Sequence, residues 1–190
     1  MKRTQAAGQS AALRRASTHQ WVLKPQDLAV ALKLVTLQGA RVSYAALAKQ
    51  LRLSPFEVHA AVQRLMVARL AVERDGAVRP NMAAIRTFIV NGAPYAYPPV
   101  RGAATIGFPT AHAAAPLKGR VQASKESTPV WPHPDGPSRG EAILPLYEKL
   151  PLAAADDPGF YELLALFDAL RIGQAREREM ARRLLEERLQ

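Results

Sequence analysis

The chain has no cysteine, which excludes a disulfide framework and a thiolate metal site and is compatible with a reducing cytoplasm. No apolar run approaches the roughly 20 residues needed to cross a bilayer. The basic N-terminus, MKRTQAAGQSAALRRASTHQ, lacks the apolar central segment of a signal peptide, so an organelle-targeting leader is the lesser alternative. A soluble, cytoplasmic protein is expected. Four histidines are dispersed (His19, His59, His112 and His133), none in metal-ligand spacing, and there is no Walker loop or dinucleotide fingerprint. Asp156-Asp157 resembles a paired carboxylate, but its place before Pro158 favours helix capping. The segment around His112 reads as a packed loop before it reads as the lining of a pocket. No catalytic residue, metal or cofactor is therefore expected.

Acidic residues are scarce in the first half. Residues 1–92 hold 14 Lys and Arg against four acids, whereas residues 93–190 hold 12 of each sign, so the whole net charge of +10 belongs to the first half. Without the N-terminal tail, residues 24–92 still hold ten bases against four acids. Such asymmetry points to a polyanionic partner for the first half and another task for the second.

Residues 1–23 show no sustained apolar period and are expected to form a disordered basic tail. From Pro25, Leu28, Leu32 and Val35 line one face of a helix that stops near Gly39. A second short helix fits Tyr44 to Leu51, capped by Ser43. A third starts at Ser54-Pro55, with Glu57 completing a capping box and Val58, Ala61, Val62 and Leu65 facing inward. Val72 and Val78 flank Asp75-Gly76, a dipeptide suited to a hairpin whose turn needs two positive φ angles. Asn81 then caps a fourth helix ending at Asn91-Gly92. Residues 93–140 carry nine of the 15 prolines, which predicts an extended arm without long regular elements, lying across another surface such as that of a partner subunit. Residues 141–190 predict a helix from Pro158, a break at Gly173, and a charged helix with an apolar line through Met180, Leu184 and Leu185. This region is expected to serve dimerisation or partner binding, or to pack on its own domain. Trp21 and Trp131 are expected as core or interface anchors.

Two short helices joined by a tight turn and followed by a hairpin make a winged helix-turn-helix, whose second helix fits the major groove. The expected fold class is therefore mainly α: a winged helix-turn-helix over 24–92, a Pro-rich arm over 93–140, and C-terminal helices over 141–190. Outward or lateral positions of the third helix are Pro55, His59, Ala60, Gln63 and Arg64, with Ser54 at its tip. These six are the candidate base readers. Gln63 can pair with adenine, His59 with a base edge, and Arg64 with guanine or phosphate. Arg41, Ser43, Tyr44, Lys49 and Arg52 surround the motif as candidate backbone contacts, and Arg74 and Arg79 bracket the wing turn.

The stretch VSYAALAKQLRLSPFEVHAAVQRLMVARLAVERDGAV resembles the winged-helix segment of MarR-like and GntR-like bacterial transcription regulators. The resemblance covers residues 25–92, about a third of the chain. It implies that Ser54, His59, Ala60 and Gln63 match base-reading positions and that Arg74 and Arg79 match the wing. Those families often place Ser or Arg where His59 and Ala60 stand, so no base preference transfers. The expectation is a sequence-specific regulator that binds double-stranded DNA, forms a homodimer and needs no cofactor. The alternative is a protein-interaction module on the same scaffold, such as an antitoxin-like protein that binds a cognate partner.

Overall fold

The computed structural model describes residues 21–120 and 128–190; most of the expected basic tail lies outside them. Helices predominate, accompanied by a two-stranded hairpin and a three-stranded sheet. The order expected at the start of the chain is present: α1 (Pro25–Thr36), α2 (Tyr44–Leu51), α3 (Pro55–Val67), β1 (Ala71–Arg74), β2 (Ala77–Pro80) and α4 (Met82–Asn91). Local chemistry fixes the starts. Ser43 Oγ accepts from the Ala46 N–H at 3.2 Å, and Asn81 Oδ1 accepts from the Ala84 N–H at 3.3 Å. At the hairpin turn Asp75 and Gly76 both take positive φ, as that turn requires. The short helix α5 (Ala93–Ala96) follows.

Helix α1 is the centre of the molecule. Every residue from Asp27 to Val35 is buried, because α3 packs against one side of the helix and a long C-terminal helix against another. A helix covered on this much of its circumference has few places for charge, and it carries two charged residues inside. Both are matched by partners from other elements. Asp27 accepts from Arg64 of α3, and Lys33 donates to Asp157 at 2.6 Å.

Residues 93–140 do not form an extended arm. They hold β3 (Arg101–Pro109) and β4 (Pro129–Pro132), which join β5 (Ser138–Ile143) in a small closed barrel. β3 runs antiparallel to both others, pairing Gly107 with Pro132 on β4 and Arg101 with Ile143 on β5, while β4 and β5 pair in parallel through Pro129 and Val130. The composition that argued against strands is what this geometry needs. Prolines stand at strand ends, where the missing N–H breaks little of the ladder. Glycines stand where backbones cross: a Cβ on Gly140 would lie 1.8 Å from the Thr128 carbonyl oxygen, and one on Gly136 would lie 2.1 Å from the Gly107 carbonyl carbon.

After the barrel come α6 (Leu150–Ala155), α7 (Pro158–Ile172) and α8 (Ala175–Arg188). Asp157 caps α7 as expected, with its Oδ1 accepting from the Phe160 N–H at 3.1 Å. Asp156 does not cap α7; it is the C-cap residue of α6, with an exposed side chain that pairs with Arg52 at 2.8 Å. α7 packs on α1, and α8 packs on α7. The apolar line of α8 is turned inward, with Ala181, Leu184 and Leu185 buried in the chain's own core. Of the two tryptophans, Trp131 is core at 1% exposure, whereas Trp21 is exposed.

The barrel is fastened to α7 by one buried carboxylate. Asp168 accepts from Thr110 Oγ1 at 2.7 Å, from Trp131 Nε1 at 2.6 Å and from Arg171 Nη2 at 2.5 Å. Arg171 also donates to the Tyr97 carbonyl at 3.1 Å and lies 4.9 Å from the Phe167 ring centroid. Tyr161, whose ring meets Trp131, donates its hydroxyl to the Pro109 carbonyl. Among the described residues no helix is long and apolar enough to cross a membrane.

Candidate nucleic-acid interface

Helix α3 is held from beneath and open above. Val58, Ala61, Val62 and Leu65 are fully buried. Its start is closed by a reciprocal cap: Ser54 Oγ accepts from the Glu57 N–H at 3.2 Å, and Glu57 accepts from the Ser54 N–H at 2.8 Å. The Ser54 N–H, and after it the Ser54 hydroxyl, hold the Glu57 carboxyl below its usual range. Glu57 is thus occupied by the cap, and the Ser54 hydroxyl already serves as an acceptor. Lys149 and Lys24 lie close enough to act on Glu57, which places two cations at this end of the helix. Lys149 comes from the other half of the chain.

Of the six candidate base readers, Ser54, Pro55 and His59 are exposed, and Ala60 and Gln63 are partly exposed. The His59 ring meets Tyr44 edge-on, with centroids 5.3 Å apart, so α2 orients it. Arg64 does not face outward. It is 6% exposed, and its Nε and Nη2 each donate to a different oxygen of Asp27 at 2.6 Å. The cause is angular: Arg64 lies between the outward and inward faces, and its long side chain reaches a carboxylate that is otherwise sealed from water. The pair is what joins α3 to α1. Tyr97 lies beside it, and burial pushes the Tyr97 hydroxyl up to about 12, with the Asp27 carboxylate adding to the rise.

The candidate backbone contacts divide in the same way. Lys49 and Arg74 are exposed. Arg41 is exposed and donates to the Asp75 carbonyl, so it ties the segment before α2 to the hairpin tip. A cleft of about 440 Å³, lined by Ser43, Tyr44, Val62, Glu73 and Val78 with Arg41, separates the two. Ser43 is engaged as the α2 cap, and Tyr44 is half-buried against His59. Arg52 is paired with Asp156. Arg79 is set back from the hairpin tip, where its guanidinium passes over Gly39: a Cβ there would meet Arg79 Nη1 at 2.4 Å.

The surface charge of residues 24–92 is therefore smaller than the sequence count. Lys33 and Arg64 are internal, as is Asp27, which leaves eight bases against three acids at the surface. The excess keeps its sign. One exposed side chain was outside the sequence expectations. Phe56, the second residue of α3, is 81% exposed. The signal was present in the spacing, since Phe56 lies about 160° around the helix from Val58, opposite the apolar stripe. Val67, on the same outward ridge, is 57% exposed. Lys149 had no local signal, because only the fold brings it to α3.

Comparison with protein-family models, curated proteins and solved structures finds no match to this chain.

Proposed function

We propose that residues 24–92 act as a winged helix-turn-helix that binds double-stranded DNA, with α3 in the major groove and the β1–β2 hairpin on the flanking backbone. The observation that carries this reading is the distribution of charge around α3. Its outward ridge (His59, Ala60 and Gln63) is uncharged, while Lys24, Lys49, Arg74 and Lys149 lie on the elements beside it, with Arg52 there paired to Asp156. A DNA groove has the complementary pattern: base edges without net charge in the floor, and phosphates along both rims. Gln63 and His59 supply the hydrogen-bonding groups for base edges, and the cations supply the sequence-independent part of the affinity. Transcription regulation is the role that this binding would serve.

The test is binding of the purified chain to random duplex DNA and to the region upstream of its own gene across a salt series. Affinity that falls steeply with salt, together with preference for the upstream fragment, is expected. Replacing Lys49 or Arg74 with Ala should reduce the salt slope by about 1 each, on every sequence alike. Gln63→Ala should cost about 1–3 kcal/mol on preferred sequences and little on others. The same titration gives the stoichiometry, and two chains per site is the expectation for a homodimer that reads half-sites about one helical turn apart. No binding to any duplex at low salt would discard the groove-facing reading of α3.

A further inference from the structure

A phenylalanine 81% exposed at the head of a well-capped helix needs a reason. Its burial elsewhere in this chain is the rule: Phe160 and Phe167 are fully buried, and Phe88 and Phe108 pack against the core. Phe56 cannot turn inward, because the inward face is filled by Val58, Ala61, Val62 and Leu65 and the cap fixes the helix start. It therefore projects along the same ridge as Ala60 and Gln63, at the end of α3 where Lys24 and Lys149 lie.

We infer that Phe56 is a specificity-determining residue that packs on the C5-methyl group of a thymine in the major groove. This rests on the groove-facing reading of α3. Thymine is the one base that offers an apolar group in that groove, and Phe is among the side chains that suit it. An exposed apolar side chain on an uncharged ridge matches a methyl group in the floor of the groove. Ala60, one turn further along, is small enough to let the helix approach the base edges closely.

The experiment uses the full chain. Duplexes are selected from a randomised library by the wild-type protein, and each thymine of the selected site is replaced in turn by deoxyuridine, which removes only the methyl group. At one position the replacement is expected to weaken wild-type binding about fourfold, the value of one buried methyl-sized group. Phe56→Ala should bind the thymine and deoxyuridine duplexes equally, and Phe56→Leu should keep part of the difference. Because the side chain is exposed, neither variant should lose stability, and circular dichroism checks that. An unchanged thymine-to-deoxyuridine ratio in Phe56→Ala overturns the inference while leaving DNA binding intact. Selection of sites with no required thymine does the same. Failure of the wild type to bind any duplex removes the groove-facing reading, and the inference with it.

Discussion

Replacing Arg64 with Met separates two roles that an arginine on this helix could have. In the structure the guanidinium makes two bonds of 2.6 Å to Asp27, which is 0% exposed and among the described residues otherwise accepts only from the Lys24 N–H at 2.9 Å. Arg64→Met would leave a carboxylate sealed in the core with one backbone donor. Breaking a buried pair in this way costs about 3–5 kcal/mol, a large part of the stability of an ordinary domain. At roughly 2–4 °C per kcal/mol for a chain of this size, the melting temperature should fall by about 6–20 °C. An arginine on the surface would change stability by only about 0.5 kcal/mol.

The assay is urea unfolding followed by far-ultraviolet circular dichroism, for wild type, Arg64→Met, Asp27→Asn and the double variant. The double variant should recover most of the loss, since Asn keeps an acceptor for the Lys24 N–H and no buried charge remains at this site. Under conditions where Arg64→Met is still folded, its preference among DNA sequences should match the wild type. If Arg64→Met is as stable as the wild type and has lost discrimination at one base position, the buried pair is wrong and Arg64 reads DNA.

Three other outcomes follow from the same contacts. Asp168→Asn leaves Arg171 without its carboxylate beneath the barrel, so stability should fall by about 3–5 kcal/mol, and Trp131 emission should shift to longer wavelength at lower denaturant. Gly140→Ala sets a methyl group 1.8 Å from the Thr128 carbonyl oxygen; unfolding titrations should show a loss of about 1–3 kcal/mol or more, whereas Gly76→Ala meets no atom within 4 Å and is penalised by backbone conformation alone. Burial raises the pKa of Asp157, but Lys33 and the Phe160 N–H outweigh it and leave the carboxyl below its usual range. A lowered folded-state value means that this stability is fully present above about pH 4 and is lost as the pH falls through the folded value. Asp157→Asn should reduce stability at neutral pH by about 1.5–3 kcal/mol and flatten the decline below pH 4, as read from acid titrations of the unfolding midpoint.

Periodicity and caps made the first part of the fold legible. Ser43, Ser54, Asn81 and Asp157 each accept from the backbone N–H three residues on, and Asp75-Gly76 takes the turn its dipeptide demands. These signals are local, so one stretch of sequence contains all the chemistry involved. The barrel has no such signal. Pairing Arg101 with Ile143 joins residues 42 apart, and the glycines that permit it resemble loop glycines until the opposing backbone is in place. Of the candidate site, the exposure of Ser54, His59, Lys49 and Arg74 followed from helix angles and turn position. The placement of Arg64 and Arg52 did not, because each is decided by a partner remote in sequence: Asp27 and Asp156.

The displacement of Arg64 has a cause that a sequence can reveal. Asp27, Lys33 and Asp168 are isolated charges within strongly apolar helical runs: the first two in QDLAVALKLV of α1, the third in LLALFDAL of α7. A helix buried on most of its surface cannot leave such a group unpaired, so each one requires a partner from another element. Asp27 takes Arg64 from α3, Lys33 takes the α7 cap, and Asp168 takes Trp131 and Thr110 from the barrel region, with Arg171 of its own helix. The charges in the apolar helices thus specify which elements pack together. They also remove one arginine from the face of α3, so under the proposed DNA-binding role the base edges would be left to uncharged groups and the phosphates to the elements around them.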